Sequence, residues 1–217
     1  MNTPTLLHRN AGILAWLLLT ASIPLLSGCF GAAALGVGAG ALVATDRRAS
    51  ETYVTDESIE VRAASRIRDK FGDRVSVHVT SYNRNVLLTG SAPDEAAKAE
   101  VEKLASGVPN VKAISNELDI AAPSSSYTND AYITTKVKAR FVDGNRFSVN
   151  HVKVVTEGGV VYLLGLVTQR EADAAVEIAR TTAGVRKVVR VFEYISEEQA
   201  RLANSPQREA KPAAAKP

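Results

Sequence analysis

The chain has 217 residues, of which 46% are hydrophobic and 23% charged, so most of it can fold in water and two compact domains fit its length. A net charge of +3 and 6% aromatic residues argue against a nucleic-acid partner, which needs a basic stripe or a base-stacking platform. One cysteine and three histidines argue against an internal disulfide framework and against a cysteine or histidine metal site, and we expect no cofactor.

The N-terminus is typical of a secretory signal. Residues 1–10 carry Arg9 and no acid, and residues 11–26 form an uncharged run that is short for a membrane span and contains Pro24. Leu-Ser-Gly-Cys at 26–29 looks like a bacterial lipobox, in which the cysteine thiol receives a diacylglycerol. We therefore expect residues 1–28 to be a lipoprotein signal peptide and Cys29 to be the site of lipid attachment. The alternative is that Cys29 is one more small residue of a signal helix.

The residues after Cys29 predict a tether. Phe30, in place of an aspartate, resembles lipoprotein cargo sent to the outer membrane, and acylation by more than one chain gives stable anchoring. Residues 30–45 are uncharged and rich in glycine and alanine, which disfavours a helix. We assign residues 29–55 to a lipidated, membrane-proximal tether, with a short interfacial helix at 30–45 as the alternative.

The rest of the chain contains one module twice. Residues 86–90 match 161–165 at an offset of 75, and residues 67–71 match 137–141 at an offset of 70. Each copy predicts the order helix, strand, strand, helix, strand, because four-residue apolar spacings alternate with two-residue ones. The fold class is therefore α+β, with a small three-stranded mixed sheet in each copy and two helices on one of its faces.

Turn and cap residues set the limits of the two copies. Glu157-Gly158-Gly159 predicts a tight hairpin, Asn83-Arg84-Asn85 a less clear one, and Thr168 to Glu171 a capping box. We place the first domain at residues 56–121, a Pro/Ser-rich linker at 122–128 and the second domain at 129–196. Residues 197–217 should be disordered beyond a short helical extension. Because domains this small are marginal alone, we expect the two copies to pack on each other.

These residues resemble the BON-domain family of bacterial envelope proteins. The resemblance covers nearly all of residues 46–196, and a lipobox followed by two copies resembles the dual-BON outer-membrane lipoproteins. The marks that carry it are the apolar-glycine motifs ending in Gly90 and Gly165, the helix after each, the strand entries at Gly107-Val108 and Gly184-Val185, and Thr134-Thr135-Lys136-Val137.

Nothing in the sequence predicts catalysis. Glycine-flanked serine, phosphate-loop and His-Glu-x-x-His motifs do not occur. His78 aligns with Lys153 and His151 with Ser76, so neither histidine belongs to a repeated constellation. We expect both to be exposed strand or loop residues, and we expect no enzyme activity and no small-molecule substrate.

The charge is unevenly divided between the copies. The first has nine basic and eleven acidic residues, whereas the second has ten and seven, and residues 131–142 of its first helix contain no acid. On a helical wheel Ile133, Val137 and Phe141 form the inward stripe. Two apolar-bodied residues, Tyr132 and Val142, then fall on the far side between lysines, which suits a lipid interface.

The alternative is that these two residues pack against protein and the lysines only solvate the helix. The family resemblance implies the first reading, since the corresponding helix of dual-BON lipoproteins is associated with anionic phospholipid; the family's typical tryptophan is here Tyr132. The expected phospholipid-binding residues are Tyr132, Thr135, Lys136, Lys138, Ala139, Arg140 and Val142.

The sequence therefore predicts a periplasm-facing outer-membrane lipoprotein that binds anionic phospholipid and supports envelope integrity. Enrichment at division sites is a further implication of the resemblance. The alternative function is a non-catalytic scaffold that docks an envelope protein partner on the same face.

Overall fold

The computed structural model describes residues 46–121 and 127–205. The predicted signal peptide, Cys29 and residues 30–45 of the predicted tether lie outside these ranges, as do most of the linker and the last twelve residues. The first domain is built from helices α1 (Ser50–Phe71) and α2 (Glu95–Ser106) and strands β1 (Ser76–Tyr82), β2 (Asn85–Ala92), β3 (Ala113–Asn116) and β4 (Asp119–Ile120), with a short 3-10 turn at Gly72–Arg74.

The second domain repeats this order. It is built from helices α3 (Tyr127–Gly144) and α4 (Gln169–Arg180), strands β5 (Lys153–Glu157), β6 (Val160–Val167) and β7 (Lys187–Tyr194), and a 3-10 turn at Val149–His151. Helix α5 (Glu197–Ala203) follows, capped by Ser196. This helix is the short extension expected at the start of the C-terminal tail. Within the described residues, none of the helices is long and apolar enough to cross a membrane.

The central strand is β2 in the first sheet and β6 in the second. β2 is antiparallel to β1 and parallel to β3 and β4, and β6 is antiparallel to β5 and parallel to β7. The α+β class and the mixed sheets are therefore confirmed. The last strand of the first domain is split into β3 and β4 because the chain leaves the ladder at Leu118, whose side chain enters the core and is 1% exposed.

The helices of each domain cover one face of its sheet. In α1 the buried residues recur every four positions at Ile59, Ala63, Ile67 and Phe71, as the sequence predicts. A matching core in the second domain is centred on the inward residues of α3. Burial of such a stripe orients each helix and leaves its opposite face to solvent.

The other faces of the two sheets pack against each other. Tyr82 and Leu87 of the first domain form one buried cluster with Tyr162 and Leu164 of the second. Burial there raises the pKa of the Tyr162 hydroxyl to about 12. The expected packing of the two copies is thus observed, and it gives the order helices, sheet, sheet, helices.

The first helix of each domain begins before the predicted domain boundary. Helix α1 starts at Ser50, inside the segment assigned to the tether, and Arg47 before it is 3% exposed. Similarly, α3 starts at Tyr127, inside the predicted linker. An apolar periodicity cannot locate these starts, because the first turns of both helices carry few apolar residues.

Candidate membrane-binding face of helix α3

Helix α3 is fixed by its buried stripe and by its first turn. Ile133, Val137 and Phe141 are at most 1% exposed. The carboxylate of Asp130 accepts hydrogen bonds of 2.8 Å from the backbone N–H groups of Gly158 and Gly159, at the tip of the β5–β6 hairpin. The orientation of the helix about its own axis is therefore determined.

The opposite side of α3 faces solvent. Tyr132 is 63% exposed and Val142 62% exposed. Thr135, Lys138 and Ala139 are exposed between them. These five residues, which we call the α3 face, combine an aromatic ring and an isopropyl group with an ammonium group. Side chains of this kind can enter a headgroup layer while the charge meets phosphate.

Lys136 borders the α3 face on one side and is partly committed to the fold. Its ammonium group donates a 2.6 Å hydrogen bond to the Ala183 carbonyl, just beyond the end of α4. The same Nζ atom lies 5.0 Å from the centre of the Tyr132 ring. At this distance a cation–π interaction, together with the hydrogen bond, limits the rotamers of both side chains.

Arg140 is not a free cation of this surface. Its guanidinium donates to the Ile178 carbonyl at 3.0 Å and to the Thr182 hydroxyl at 2.8 Å, so it caps the C-terminal end of α4. Cations are stabilising at that end of a helix because the last carbonyls have no intrahelical partners. Arg140 thus positions α3 against α4, and its contact with lipid stays a prediction.

Lys138 forms the edge of the α3 face on the other side. It is exposed and makes no hydrogen bond or ion pair with any residue that the structure describes. It lies at the edge of a cleft between the two domains, opposite the acidic side of α1. Of the three cations predicted for this site, Lys138 is thus the most available to a phosphate.

The two histidines have different environments. His78 is half-exposed on β1, with Nδ1 3.1 Å from the Glu157 carboxylate of the second domain. His151 is buried at 6% exposure, so the prediction that it is exposed is wrong. The sequence pattern was misleading because residues 149–151 form a 3-10 turn that rotates the side chain inward, towards Glu171, instead of continuing a strand.

Sequence reasoning missed the role of two equivalent aspartates. Asp56 accepts hydrogen bonds from the backbone N–H groups of Asn83 and Arg84, just as Asp130 does from the glycine pair. The signal was present in the sequence, since the two acids are 74 positions apart and the two hairpins 75. Over the described ranges, no group of three or more histidine, cysteine and acidic side chains is arranged to hold a metal ion.

Two copies of one α+β module, joined through their sheets, define a tandem-domain protein. The model of the BON domain matches residues 55–122 and 129–196. The chain is 40% identical to the outer membrane lipoprotein DolP of Haemophilus influenzae, over 78% of this chain and 90% of that one.

Two further relatives extend the comparison. The chain is 34% identical to a 21 kDa hemolysin of Actinobacillus pleuropneumoniae, over 69% of this chain and 79% of the relative. It is 28% identical to the osmotically-inducible protein Y of Escherichia coli, over 63% and 71%. The chain belongs to the BON-domain family, and its localisation is that of an outer-membrane lipoprotein. No catalytic family is indicated by these matches.

Proposed function

We propose that this lipoprotein faces the periplasm and binds anionic phospholipid through the α3 face of its second domain, in support of envelope integrity. In this proposal residues 1–28 are removed, Cys29 carries the acyl anchor, and binding rather than catalysis is the activity. The observation that carries the proposal is the exposure of Tyr132 and Val142 on a helix surface that contains no acid between residues 131 and 142.

The proposed contact is weak by itself. Each basic residue near an anionic surface contributes about 1 kcal/mol, and this face offers Lys138 together with the partly committed Lys136. The anchor compensates because it confines the chain to the membrane and makes the second contact intramolecular. The anchor then supplies the attachment, and the α3 face supplies the preference for anionic lipid.

Liposome flotation tests the proposal without the anchor. The protein is the chain from residue 29 with Cys29→Ser, mixed with vesicles of phosphatidylcholine alone or with added phosphatidylglycerol. Binding should grow with the phosphatidylglycerol content and weaken with salt, because the contact is partly electrostatic. Binding that does not depend on the phosphatidylglycerol content would contradict the proposal and favour a protein partner docked on the same face.

Variants locate the contact. Lys138→Glu and Tyr132→Ser should each reduce flotation several-fold, and Tyr132→Trp should increase it because indole is a stronger interfacial side chain. Lys103→Glu is the matched control, since it changes the charge equally on α2 and its side chain is 79% exposed. Lys136→Glu is less informative because that ammonium also holds the Ala183 carbonyl. If Lys103→Glu reduced flotation as much as Lys138→Glu, binding would depend only on the net charge of the protein.

A further inference from the structure

Two depressions meet on the outer side of α1. The first, which we call the polar cleft, has a volume of about 510 Å³ and lies between α1 and the second domain; Glu57, Glu60, Lys138 and Lys153 contribute to its walls. The second, the apolar groove, has a volume of about 400 Å³ and runs along α1 over Val54 and Val61. Tyr53 and Glu57 line both depressions.

Most charges of the polar cleft neutralise one another. The guanidinium of Arg48 binds Asp46 and Asp56 at 2.7 and 2.8 Å, and Lys153 binds Glu60 at 3.1 Å. These pairs hold the walls in place and leave little charge for a ligand.

The Arg48 cluster keeps one negative charge in excess, and two charged side chains remain unpaired, one on each wall. Glu57 of α1 and Lys138 of α3 form no hydrogen bond or ion pair with the residues that the structure describes. A ligand that complements both must carry a cationic and an anionic group. The cleft therefore selects for a zwitterion, since a purely anionic group would face Glu57 uncompensated.

The apolar groove indicates that the second part of the ligand is apolar. Val54 and Val61 are 69% and 64% exposed and lie two turns apart, about 10 Å along the helix. The Tyr53 ring also lines the groove, as do Ser58 and Arg62. Isolated exposed valines are ordinary, but a mainly apolar groove that is continuous with a charged cleft has the polarity of an amphiphile.

We propose that the polar cleft and the apolar groove form one binding site for a single-chain amphiphile with a zwitterionic head group. Glu57 binds its ammonium group, Lys138 binds its phosphate, and the acyl chain lies over Val54 and Val61. This site goes beyond the proposed membrane contact, because Glu57 and Val61 belong to the first domain; only Lys138 is common to both.

The test compares two soluble probes that differ in head group alone. Lauroyl-lysophosphatidylethanolamine has an ammonium group and lauroyl-lysophosphatidylglycerol does not, and both are used below their critical micelle concentrations. With the chain from residue 29 carrying Cys29→Ser, titration calorimetry should give the tighter binding for the ethanolamine probe. In NMR spectra the amides of Glu57, Val61 and Lys138 should shift.

Two variants and one control decide the outcome. Glu57→Gln should weaken binding of the ethanolamine probe about tenfold, because a charge-assisted hydrogen bond to ammonium is lost. The same variant should strengthen binding of the glycerol probe, because the carboxylate no longer repels its anionic head group. Val61→Ser should weaken both probes through the acyl chain. Tyr132→Ser, which we expect to reduce flotation, should leave the affinity for both probes unchanged. The two proposals can therefore fail separately.

Three results would each overturn the amphiphile site. They are the absence of binding of the ethanolamine probe, an unchanged affinity in Glu57→Gln, and amide shifts confined to the α3 face. The last of these would assign the probe to the membrane contact instead.

Discussion

The guanidinium of Arg47 and the carboxylate of Glu171 form two hydrogen bonds, at 2.6 and 2.8 Å, between side chains that are almost completely buried. Arg47 lies in the segment before α1, whereas Glu171 lies in the first turn of α4 in the second domain. The same carboxylate closes the capping box by accepting from the backbone N–H of Thr168. The segment before α1 therefore reaches across to the second domain.

Removal of Arg47 should destabilise the fold strongly. Arg47→Met leaves the Glu171 carboxylate buried without its cation, and we expect a loss of about 3 kcal/mol in the free energy of unfolding, measured in urea. The double variant Arg47→Met with Glu171→Gln should lose less unfolding free energy than the sum of the two single variants, because no charge is then buried without a partner. Arg201→Met is the control: its partner Glu198 is exposed, so the expected change is below about 0.5 kcal/mol. A loss in Arg47→Met no larger than in the control would contradict this account.

The stability of the protein should fall in acid partly through Glu171. Burial by itself raises the pKa of this carboxyl, but the neighbouring His151 ring, the Arg47 guanidinium and the Thr168 N–H hold the pKa well below its ordinary value of 4.5. A lowered folded-state pKa stabilises the protein above the unfolded-state pKa, and this stabilisation is lost as pH falls through the folded-state pKa.

Unfolding free energies measured from pH about 6 downwards check this expectation. The decline below the ordinary pKa should be shallower in Glu171→Gln, which cannot titrate at this position. Glu177→Gln should keep the decline of the natural chain, because that carboxylate lies at the surface, where water screens its ion pair with Arg180. Parallel profiles for the natural chain and Glu171→Gln would show that other carboxylates account for the acid sensitivity.

Gly90 and Gly165 must be glycines because the backbone of a neighbouring segment lies too close for a side chain. A Cβ atom on Gly90 would lie 1.9 Å from the Ser76 carbonyl oxygen, and one on Gly165 would lie 2.3 Å from that of His151. Gly90→Ala should therefore separate β1 from β2, and Gly165→Ala should push the 3-10 turn at Val149–His151 away from β6. Each variant should lower the melting temperature by many degrees or prevent folding. Gly158→Ala is the matched control, because its Cβ would meet nothing within 4 Å. Its positive φ costs only about 1 kcal/mol, so similar losses in all three variants would contradict the steric explanation.

The hairpin aspartates should stabilise both domains by the same mechanism. Asp130→Ala removes the acceptor of two backbone N–H groups, one of them buried, and we expect a loss of about 2 kcal/mol. Asp56→Ala should cost at least as much, because its carboxylate also holds the Ser81 hydroxyl and Arg48. Chemical unfolding measures both variants. Asp73→Ala, at an exposed position of a 3-10 turn, is the control and should change stability by less than about 0.5 kcal/mol. If it cost as much as Asp130→Ala, the hydrogen bonds to the hairpin would not explain the loss.

The two domains, their element order and their helix faces were predictable because each depends on local periodicity. Buried positions recur every four residues in α1, and the alternating Val152 and Val154 are buried at the start of β5. The second copy repeats the pattern of the first. For the same reason a helical wheel placed Tyr132 and Val142 on the outer side of α3. The sheet-to-sheet interface was expected only in general terms, since a strand pattern reports which faces are apolar but not what covers them.

Which cations are available on α3 was decided only by tertiary structure. Lys136, Lys138 and Arg140 are equivalent in the sequence, yet two of them bind groups at the end of α4 and one is free to meet a ligand. Long-range partners of this kind produce no periodic pattern in the sequence. The same is true of the hydrogen bond from Arg47 to Glu171, which lie 124 positions apart. The sequence by itself determined the repeated module and its amphipathic helices, because those follow from local spacing. Only the folded chain decided which polar side chains are paired and which are exposed, because pairing depends on residues far apart in the sequence.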